Sequence, residues 1–170
     1  NKKIKGVIKL KHQKIISTET KLVEGLKAKF NKQITEEYVK PNRIKISTSP
    51  TNLKEVALAI RDLGFDQIIS QGATDYPDDD LFRVEYHAIC VSIKKLRRII
   101  FAIMTSIPKS KPEIDTLIDI WPSAEFHEQE TFENFGITFI NHPRMERLLL
   151  PEDWDDIPPL RKDFSLPGRD

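Results

Sequence analysis

The clearest candidates for chemistry lie in one short acidic segment, residues 123–135, which predicts a helix. Four polar side chains fall near one face of that helix: His127, Glu130, Glu133 and Asn134. A metal site needs at least three converging ligands, usually from more than one element, and no second pair of histidine and glutamate follows at helical spacing. We therefore expect no bound metal, and a soluble enzyme with chemistry around His127 and Glu130 is the lesser alternative.

Other signatures of catalysis are missing from the sequence. It has no glycine-rich nucleotide-binding or phosphate-binding motif, no nucleophile elbow, and no cysteine–histidine pair that would support nucleophilic catalysis. The run Asp78-Asp79-Asp80 could recruit a hard cation, but a charged turn between strands is the more ordinary interpretation. His142 precedes a proline in a loop, so we interpret it as a hydrogen-bonding corner rather than a general base. The sequence predicts no catalytic residue.

The single cysteine, Cys90, lies in an apolar strand pattern and is predicted to be a buried thiol. One cysteine excludes an intrachain disulfide and cannot alone hold an iron–sulfur cluster or a structural zinc. We therefore predict a reducing compartment and no cofactor in this chain. The longest apolar run has six residues, so the sequence predicts neither a membrane span nor a secretory leader.

Charge is distributed unevenly along the chain. The net charge is +9 over residues 1–50, −2 over residues 51–120 and −6 over residues 121–170. A basic front could serve nucleic acid, but its lysines are dispersed and no aromatic residues alternate with them as stacking platforms. A solvated lysine-rich surface is favoured, and a free-standing α+β module that binds nucleic acid is the alternative function. The 22 isoleucines, with abundant lysine and glutamate, suggest a thermophilic source.

The spacing of apolar residues predicts a small α+β domain. In chain order we expect a helix capped by Ser17 or Thr18 and reaching Phe30, strands at 34–39 and 43–47, a helix from Ser49 to Gly64, strands at 65–76, 81–93 and 96–107, a short helix at 113–120, and a helix at 123–135 that is capped by Ser123 and closed by Gly136. The segment 4–16 fits either an irregular arm or a strand. The predicted fold class is α+β, a mixed and largely antiparallel sheet covered by helices, with an extended, proline-rich C-terminal tail.

This organisation divides the chain into an α+β domain, residues 1–136, and a tail, residues 137–170, that wraps a partner subunit. Prolines interrupt the tail repeatedly, as in His142-Pro143, Leu150-Pro151 and Ile157-Pro158-Pro159, so it must run extended. Large apolar residues recur along it, and an extended strip cannot bury them against itself. The tail therefore requires the surface of another protein.

The predicted acidic helix points toward the same conclusion. It carries four glutamates and no lysine to offset their mutual repulsion: Glu125, Glu128, Glu130 and Glu133. The simplest explanation is that a cationic surface of a partner protein balances this negative charge.

Several blocks of sequence, taken together, resemble one family. They are Trp121-Pro122-Ser123-Ala124, the run from Glu128 to Ile137, His142-Pro143, the run from Leu148 to Trp154, and Pro159-Leu160-Arg161-Lys162-Asp163-Phe164. In this order they resemble the C-terminal signature of the 30 kDa (C) subunit of respiratory complex I and its relatives in archaeal membrane-bound nickel–iron hydrogenases and deazaflavin-dependent dehydrogenases. The chain departs from the family pattern at Gln129, where the family usually has arginine, and at Glu133-Asn134 and Glu146. These departures fit the hydrogenase-like branch better than a quinone-reducing enzyme.

The resemblance implies a non-catalytic, cofactor-free subunit of a membrane-bound, ion-translocating oxidoreductase complex. It would lie peripherally at the cytoplasmic face of the cell membrane, without a span of its own and without nucleic acid. Its implied partners are the large catalytic subunit, related to the hydrogenase large subunit, and a neighbouring iron–sulfur subunit. Iron–sulfur clusters, and in the hydrogenase branch a nickel–iron centre, would lie in those partners.

The interface predicted for these partners combines the tail with the acidic helix. It comprises Glu128, Glu130, Phe135, His142, Pro143, Leu149, Pro151, Trp154, Leu160, Arg161, Asp163 and Phe164. Arg161 is expected to pair bidentately with a partner carboxylate, and Asp163 to accept from a partner cation or from its own backbone. Phe164, Trp154 and Leu160 are the expected anchors, because buried aromatic side chains carry much of the binding energy at interfaces.

Overall fold

A computed structural model of the chain describes residues 18–165, so the predictions for residues 4–16 and for Ser17 lie outside the described residues. Within that range the helices are α1 (residues 18–30), α2 (Leu53–Asp62) and α3 (Glu125–Phe135). The strands are β1 (Ile34–Lys40), β2 (Arg43–Thr48), β3 (Gln67–Tyr76), β4 (Leu81–Ile89), β5 (Ile100–Pro108), β6 (Glu113–Asp115) and β7 (Thr138–Ile140).

The first five strands form one mixed sheet in the order β1, β2, β5, β4, β3. The β2–β5 pair is parallel, and the other three pairs are antiparallel. Strands β6 and β7 form a separate parallel pair. The predicted fold class is therefore confirmed, and so is the predicted antiparallel meander of β3, β4 and β5.

Buried and less buried side chains alternate along the central strands, and the buried ones lie on the face of the sheet that the helices cover. In β4 the buried residues are Phe82, Val84, Tyr86 and Ala88. In β5 the matching positions Phe101, Ile103 and Ile107 are also buried. These side chains form one core with the apolar stripes of α1 and α2, because a strand places every second side chain on the same face.

The α2 helix matches its prediction. Leu53, Val56, Ala57 and Ile60 are buried on one face, as the helical spacing indicates. Gly64 follows with φ of +103°, in the left-handed region that favours glycine, and a Cβ at this position would lie 2.5 Å from Ile93 Cδ1. The backbone angle is what requires glycine at this helix end, because the Ile93 side chain is exposed and its terminal methyl can move aside.

The loop between β4 and β5 is longer than predicted, because β4 ends at Ile89 and β5 begins at Ile100. The side chain of Asp66 accounts for the early end of β4. Its carboxylate accepts the backbone N–H groups of Val91 and Ser92, at 2.9 and 3.3 Å, and the Ser92 hydroxyl at 2.6 Å. These bonds satisfy backbone donors that would otherwise extend the strand ladder.

The helix predicted over residues 113–120 is wrong. Residues 113–115 form β6 instead, in which Ile114 lies opposite Phe139 of β7, and both side chains are buried. The following residues also have partners far along the chain, because the Leu117 N–H and the Thr116 hydroxyl donate to Glu128. Long-range pairing overrides helix propensity here, as is common for short segments.

Candidate partner interface

The candidate interface consists of α3 and the segment that follows β7, residues 141–165, here called the tail segment. The start of α3 is fixed to the sheet by two hydrogen bonds to residues near the start of β3. The indole N–H of Trp121 donates to the Phe65 carbonyl at 2.8 Å, and Ser123 Oγ accepts the Ile68 N–H at 3.0 Å. Ser123 therefore does not cap α3, and the predicted cap is wrong because that hydroxyl is used by β3.

Glu128 connects α3 to the domain interior. Its carboxylate accepts from the Tyr86 hydroxyl at 2.9 Å, from the Thr116 hydroxyl at 2.5 Å and from the Leu117 N–H at 2.9 Å. Burial raises the pKa of Glu128, while these three hydrogen bonds and the nearby His142 oppose that rise. Burial, with Glu128 beside it, raises the pKa of Tyr86 well above its usual value. The carboxylate is thus compensated within the chain and faces inward, which corrects the expectation of a cationic partner at this residue.

Glu133 binds the tail segment through three consecutive backbone amides, an arrangement we call the Glu133 clasp. Its Oε2 accepts the N–H groups of Leu148 at 2.9 Å, Leu149 at 3.0 Å and Leu150 at 3.2 Å. Three donors on one buried carboxylate both satisfy the charge and fix the direction of the backbone. The compensator of Glu133 is therefore the tail segment itself, and the predicted partner surface is not needed for this charge.

The beginning of the tail segment is bound to the first turns of α3. The backbone carbonyl of Arg144 accepts from Gln129 Nε2 at 2.8 Å, and the Arg144 guanidinium pairs with Glu125 at 3.3 Å. His142 Nδ1 accepts the Arg144 N–H at 3.1 Å, and Nε2 lies 3.3 Å from the Glu125 carbonyl. The interpretation of His142 as a hydrogen-bonding corner is confirmed. Gln129, one of the departures from the family pattern, is a buried residue that holds the tail segment.

The end of the tail segment is bound where α3 meets β3. The Leu160 N–H donates to the Asn134 carbonyl at 3.0 Å, and the Lys162 N–H donates to Asp75 Oδ2 at 2.9 Å. Asp75 is buried, and Lys109 Nζ lies 2.9 Å from its Oδ1. Together with the Glu133 clasp, these two contacts bind the tail segment to its own domain at two places on α3 and one on β3.

Arg161 and Asp163 pair with each other. The Arg161 guanidinium donates to both carboxylate oxygens of Asp163, each at 3.0 Å, and lies 5.6 Å from the ring centroid of Phe82. These hydrogen bonds hold the pKa of Asp163 below its usual value. The two residues lie close enough in sequence to form this bidentate pair. The pairing of Arg161 with a partner carboxylate stays a prediction. Beside them the rings of Trp154 and Phe164 pack at 5.9 Å between centroids.

Apolar side chains remain exposed on the outside of the tail segment. Four large apolar residues are exposed: Leu149 by 73%, Leu160 by 55%, Leu148 by 42% and Ile157 by 39%. The backbone of Leu148 and Leu149 is fixed by the Glu133 clasp, so the side chains are exposed on an ordered segment. Large exposed apolar groups on an ordered backbone are typical of a protein interaction site.

The predicted interface residues fall into three classes of exposure. Two are buried, Glu128 and Phe135. Four are half-buried: His142, Trp154, Arg161 and Phe164. Six are exposed: Glu130, Pro143, Leu149, Pro151, Leu160 and Asp163. The last ten retain accessible surface on α3 or the tail segment, and their contact with a partner stays a prediction.

Sequence reasoning missed the inward-facing acids that hold the tail segment, Glu133 and Asp75. No clear signal in the sequence marked Asp75, because an irregularity between Ile68 and Ser70 breaks the alternation that would mark its position in β3 as buried. No group of three acidic, histidine or cysteine side chains within residues 18–165 is arranged to hold a metal ion. Over the same residues no helix has the length and apolar character needed to cross a bilayer.

Residues 46–170 match the family described as respiratory-chain NADH dehydrogenase, 30 Kd subunit. The chain belongs to this family. The matched range contains α3 and the whole tail segment, so the resemblance inferred from the spaced sequence blocks is confirmed.

Two curated relatives show the range of the 30 kDa subunit family. The C subunit of the F(420)H(2) dehydrogenase from Methanosarcina mazei is 32% identical over 151 residues, which cover 87% of this chain and 93% of the relative. The C subunit of the NADH-quinone oxidoreductase from Mycobacteroides abscessus is 36% identical over 132 residues, 75% of this chain. This chain spans only 56% of that longer relative.

Solved structures have the same fold. A chain from the membrane-bound sulfane sulfur reductase, an archaeal respiratory membrane complex, superimposes with a TM-score of 0.75 at 22% identity and covers 86% of this chain and 85% of its own length. A trypsin-resistant fragment of Nqo5 superimposes with a TM-score of 0.63 at 24% identity, over 74% of this chain and 97% of the fragment. At these identities the similarity establishes the fold alone.

Proposed function

We propose that this chain is a cofactor-free, non-catalytic subunit in the peripheral arm of a membrane-bound oxidoreductase complex, where it docks on the large catalytic subunit and stabilises it. The observation that carries the proposal is the tail segment, which is bound to α3 by its backbone while Leu149, Leu160 and other apolar side chains point outward. Membership of the 30 kDa subunit family supports it, because the match includes this segment.

The type of complex is inferred from the relatives. Their names describe subunits of a F(420)H(2) dehydrogenase and of quinone oxidoreductases, and the present complex is inferred to be an ion-translocating one of the membrane-bound hydrogenase or complex I-like type. Iron–sulfur clusters and any nickel–iron centre belong to the large subunit and a neighbouring iron–sulfur subunit. Cys90 supports this division, because a lone buried thiol lacks the further cysteines that a cluster requires.

Docking would use a tail that is already ordered. Backbone bonds to Glu133, Asn134 and Asp75 hold the tail segment in one path before a partner arrives. Less conformational entropy is then lost on association, so more of the apolar burial contributes to affinity. The aromatic pair of Trp154 and Phe164 is half-buried and presents its remaining surface to the partner.

The test is affinity purification from mildly solubilised membranes, with partners identified by mass spectrometry. We expect the wild-type chain to retain a large oxidoreductase subunit, and the Arg161→Ala/Phe164→Ala double variant to lose it while its unfolding transition stays cooperative. The expected cost is about 2 kcal/mol or more, which is about a thirtyfold loss of affinity.

A matched control removes one apolar and one basic side chain elsewhere on the surface. Val91→Ala/Lys95→Ala alters two exposed residues of the loop between β4 and β5, and this variant should retain the partner. Equal retention by the tail variant and the control would contradict the proposal. Recovery of nucleic acid in place of a membrane complex would favour the free-standing binding module.

A further inference from the structure

Asp75 and Lys109 form an ion pair next to the end of the tail segment. The Asp75 side chain is fully buried, and that of Lys109 is 12% exposed. Lys109 Nζ lies 2.9 Å from Oδ1 of Asp75 and 3.1 Å from Oδ2. The desolvation penalty of two buried charges exceeds their attraction unless additional hydrogen bonds complete the arrangement. A pair this deeply buried is therefore weak evidence of stability and is better explained by what it fixes in place.

The hydrogen bond that completes the pair comes from the tail segment. Oδ2 of Asp75 accepts the backbone N–H of Lys162 at 2.9 Å, from 87 positions further along the chain. This bond joins the tail segment to β3, an edge strand of the main sheet. A buried carboxylate needs a counter-charge, and Lys109 supplies it. The acceptor for the Lys162 amide therefore depends on Lys109.

Lys109 is itself held in place by the strands around it. Its backbone N–H donates at 3.0 Å to the carbonyl of Asp80, which lies in the turn between β3 and β4. Its Nζ lies 5.4 Å from the centroid of the Phe82 ring, and Phe82 is directly opposite Asp75 in the β3–β4 pair. The Arg161 guanidinium lies 5.6 Å from the centroid of the same ring. The ion pair, the ring and the tail segment therefore meet at one place on the sheet.

Apolar contacts alone leave the position of the tail segment along its domain undetermined. Residues 148–150 and residue 160 are all leucine, and hydrophobic attraction has no direction, so a shift of one residue can exchange one leucine for another. A carboxylate fixed on β3 accepts one particular amide and so specifies one register. In coiled coils a single buried polar group specifies register in this way, at a cost in stability.

We propose that Lys109 is a positioning residue, which with Asp75 sets the register of the tail end, residues 160–164, so that Leu160 and Phe164 face the partner subunit. In this register Leu160 is 55% exposed and Phe164 is half-buried. Lys109 acts through Asp75 and the Lys162 amide, since little of its own side chain is exposed. The inference rests on the proposed function and extends it to a residue outside α3 and the tail segment.

Lys109→Met tests the positioning role, because it removes the charge and keeps the length of the side chain. Hydrogen exchange on the full chain should show the Lys162 amide exchanging about tenfold faster, which corresponds to the loss of one charge-assisted hydrogen bond. The amides of β4, β5 and the Glu133 clasp should keep their protection. Purification of the complex from solubilised membranes should show about tenfold weaker retention of the large subunit. Lys109→Arg keeps the charge and should stay near wild type in both measurements.

Two further variants separate positioning from stability. Lys111→Met removes a cation from the same loop, where the Lys111 side chain is 75% exposed, and it should behave as wild type. Asp75→Asn/Lys109→Met leaves no unpaired buried charge, so its domain should fold even where that of Lys109→Met does not. An amide oxygen accepts a weaker hydrogen bond than a carboxylate does. This double variant should therefore still speed exchange at Lys162 and weaken retention.

The outcomes separate this inference from the proposed function. Faster exchange confined to the tail end, together with weaker retention, supports the positioning role. If Lys109→Met and the double variant match wild type in retention while Arg161→Ala/Phe164→Ala loses the partner, the positioning role is overturned and docking stands, whatever the exchange at Lys162. Loss of protection throughout β4 and β5 in the double variant also overturns it, because the pair then acts on stability alone. If none of these variants changes retention, both are overturned.

Discussion

Glu128 is a buried carboxylate whose hydrogen-bond donors are all uncharged. Three donors, from Tyr86, Thr116 and Leu117, surround its two oxygens, and burial still raises its pKa. Hydrogen bonds compensate only part of the cost of removing a charge from water. The residue therefore connects three elements at some expense in stability whenever it is ionised.

We predict a pH dependence of stability that belongs to Glu128. Its pKa in the folded chain is raised above the 4.5 usual for glutamate, so the folded state binds the proton more tightly than the unfolded state. The free energy of unfolding should then fall as pH rises from about 4.5 through the raised folded pKa. Urea denaturation at a series of pH values would measure it.

Glu128→Gln supplies the comparison, because its side chain does not titrate. Groups with lowered pKa values, such as Asp66 and Glu85, contribute the opposite slope, but they are common to both proteins and cancel in the difference. The wild-type value minus the variant value should decrease with rising pH across this window. If the difference in unfolding free energy between the two proteins did not change with pH, the pKa of Glu128 would be the same in the folded and unfolded states.

At the scale of elements, α3 and the tail segment form one unit. The helix has no stripe of lysines to balance its acids, yet Glu133 is satisfied by backbone N–H groups of residues 148–150. Backbone donors carry no signature in a sequence, since every residue except proline has one. For this reason the sequence predicted that the charge was compensated by a partner, and the Glu133 clasp was not foreseen.

Glu133→Gln tests the clasp. An amide has one acceptor oxygen and no charge, so it cannot serve three donors as the carboxylate does. We expect the amides of Leu148, Leu149 and Leu150 to exchange hydrogen about tenfold faster, while those of β4 and β5 keep their protection. Glu130→Gln on the same helix is the control, because among residues 18–165 the Glu130 carboxylate accepts no hydrogen bond from the backbone of the tail segment. Unchanged exchange in Glu133→Gln would show that other contacts order the segment.

Elements were predictable where local pattern and long-range packing agree. The stripe of α2 and the stop at Gly64 both follow from spacing and backbone chemistry, and both are present. Residues 113–115 show the opposite case, because Ile114 suits either a short helix or a strand and only its pairing with Phe139 decides between them. That partner lies beyond α3 in the chain, so no local window contains the deciding information.

At the scale of the whole molecule, the core extends beyond α3. Ile137 and Phe139 are buried in the same cluster as the strands of the main sheet. The division of the chain at residue 136 stays a prediction, and truncation tests it. A chain that ends at Asn141 should unfold cooperatively, whereas one that ends at Gly136 should lose about 3 kcal/mol or more, because it lacks a buried phenylalanine and a buried isoleucine.

Differential scanning calorimetry on the two truncated chains measures this difference. The comparison is direct, because both chains lack the tail segment from residue 142 onward and so share the loss of its contacts with α3. Equal melting temperatures would place the limit of the folded domain at Gly136, as the sequence predicted.

The parallel pairing of β2 with β5 has a consequence for how the chain reaches this fold. The hairpin of β1 and β2 is complete early in the sequence, but Ile44 and Ile46 lie beside Phe101 and Ile103, which follow only after α2, β3 and β4. During synthesis on the ribosome, the hairpin of β1 and β2 therefore keeps one edge unpaired until β5 has been synthesised. Such a late, non-local closure is the step at which a nascent chain is most exposed to aggregation and to chaperones.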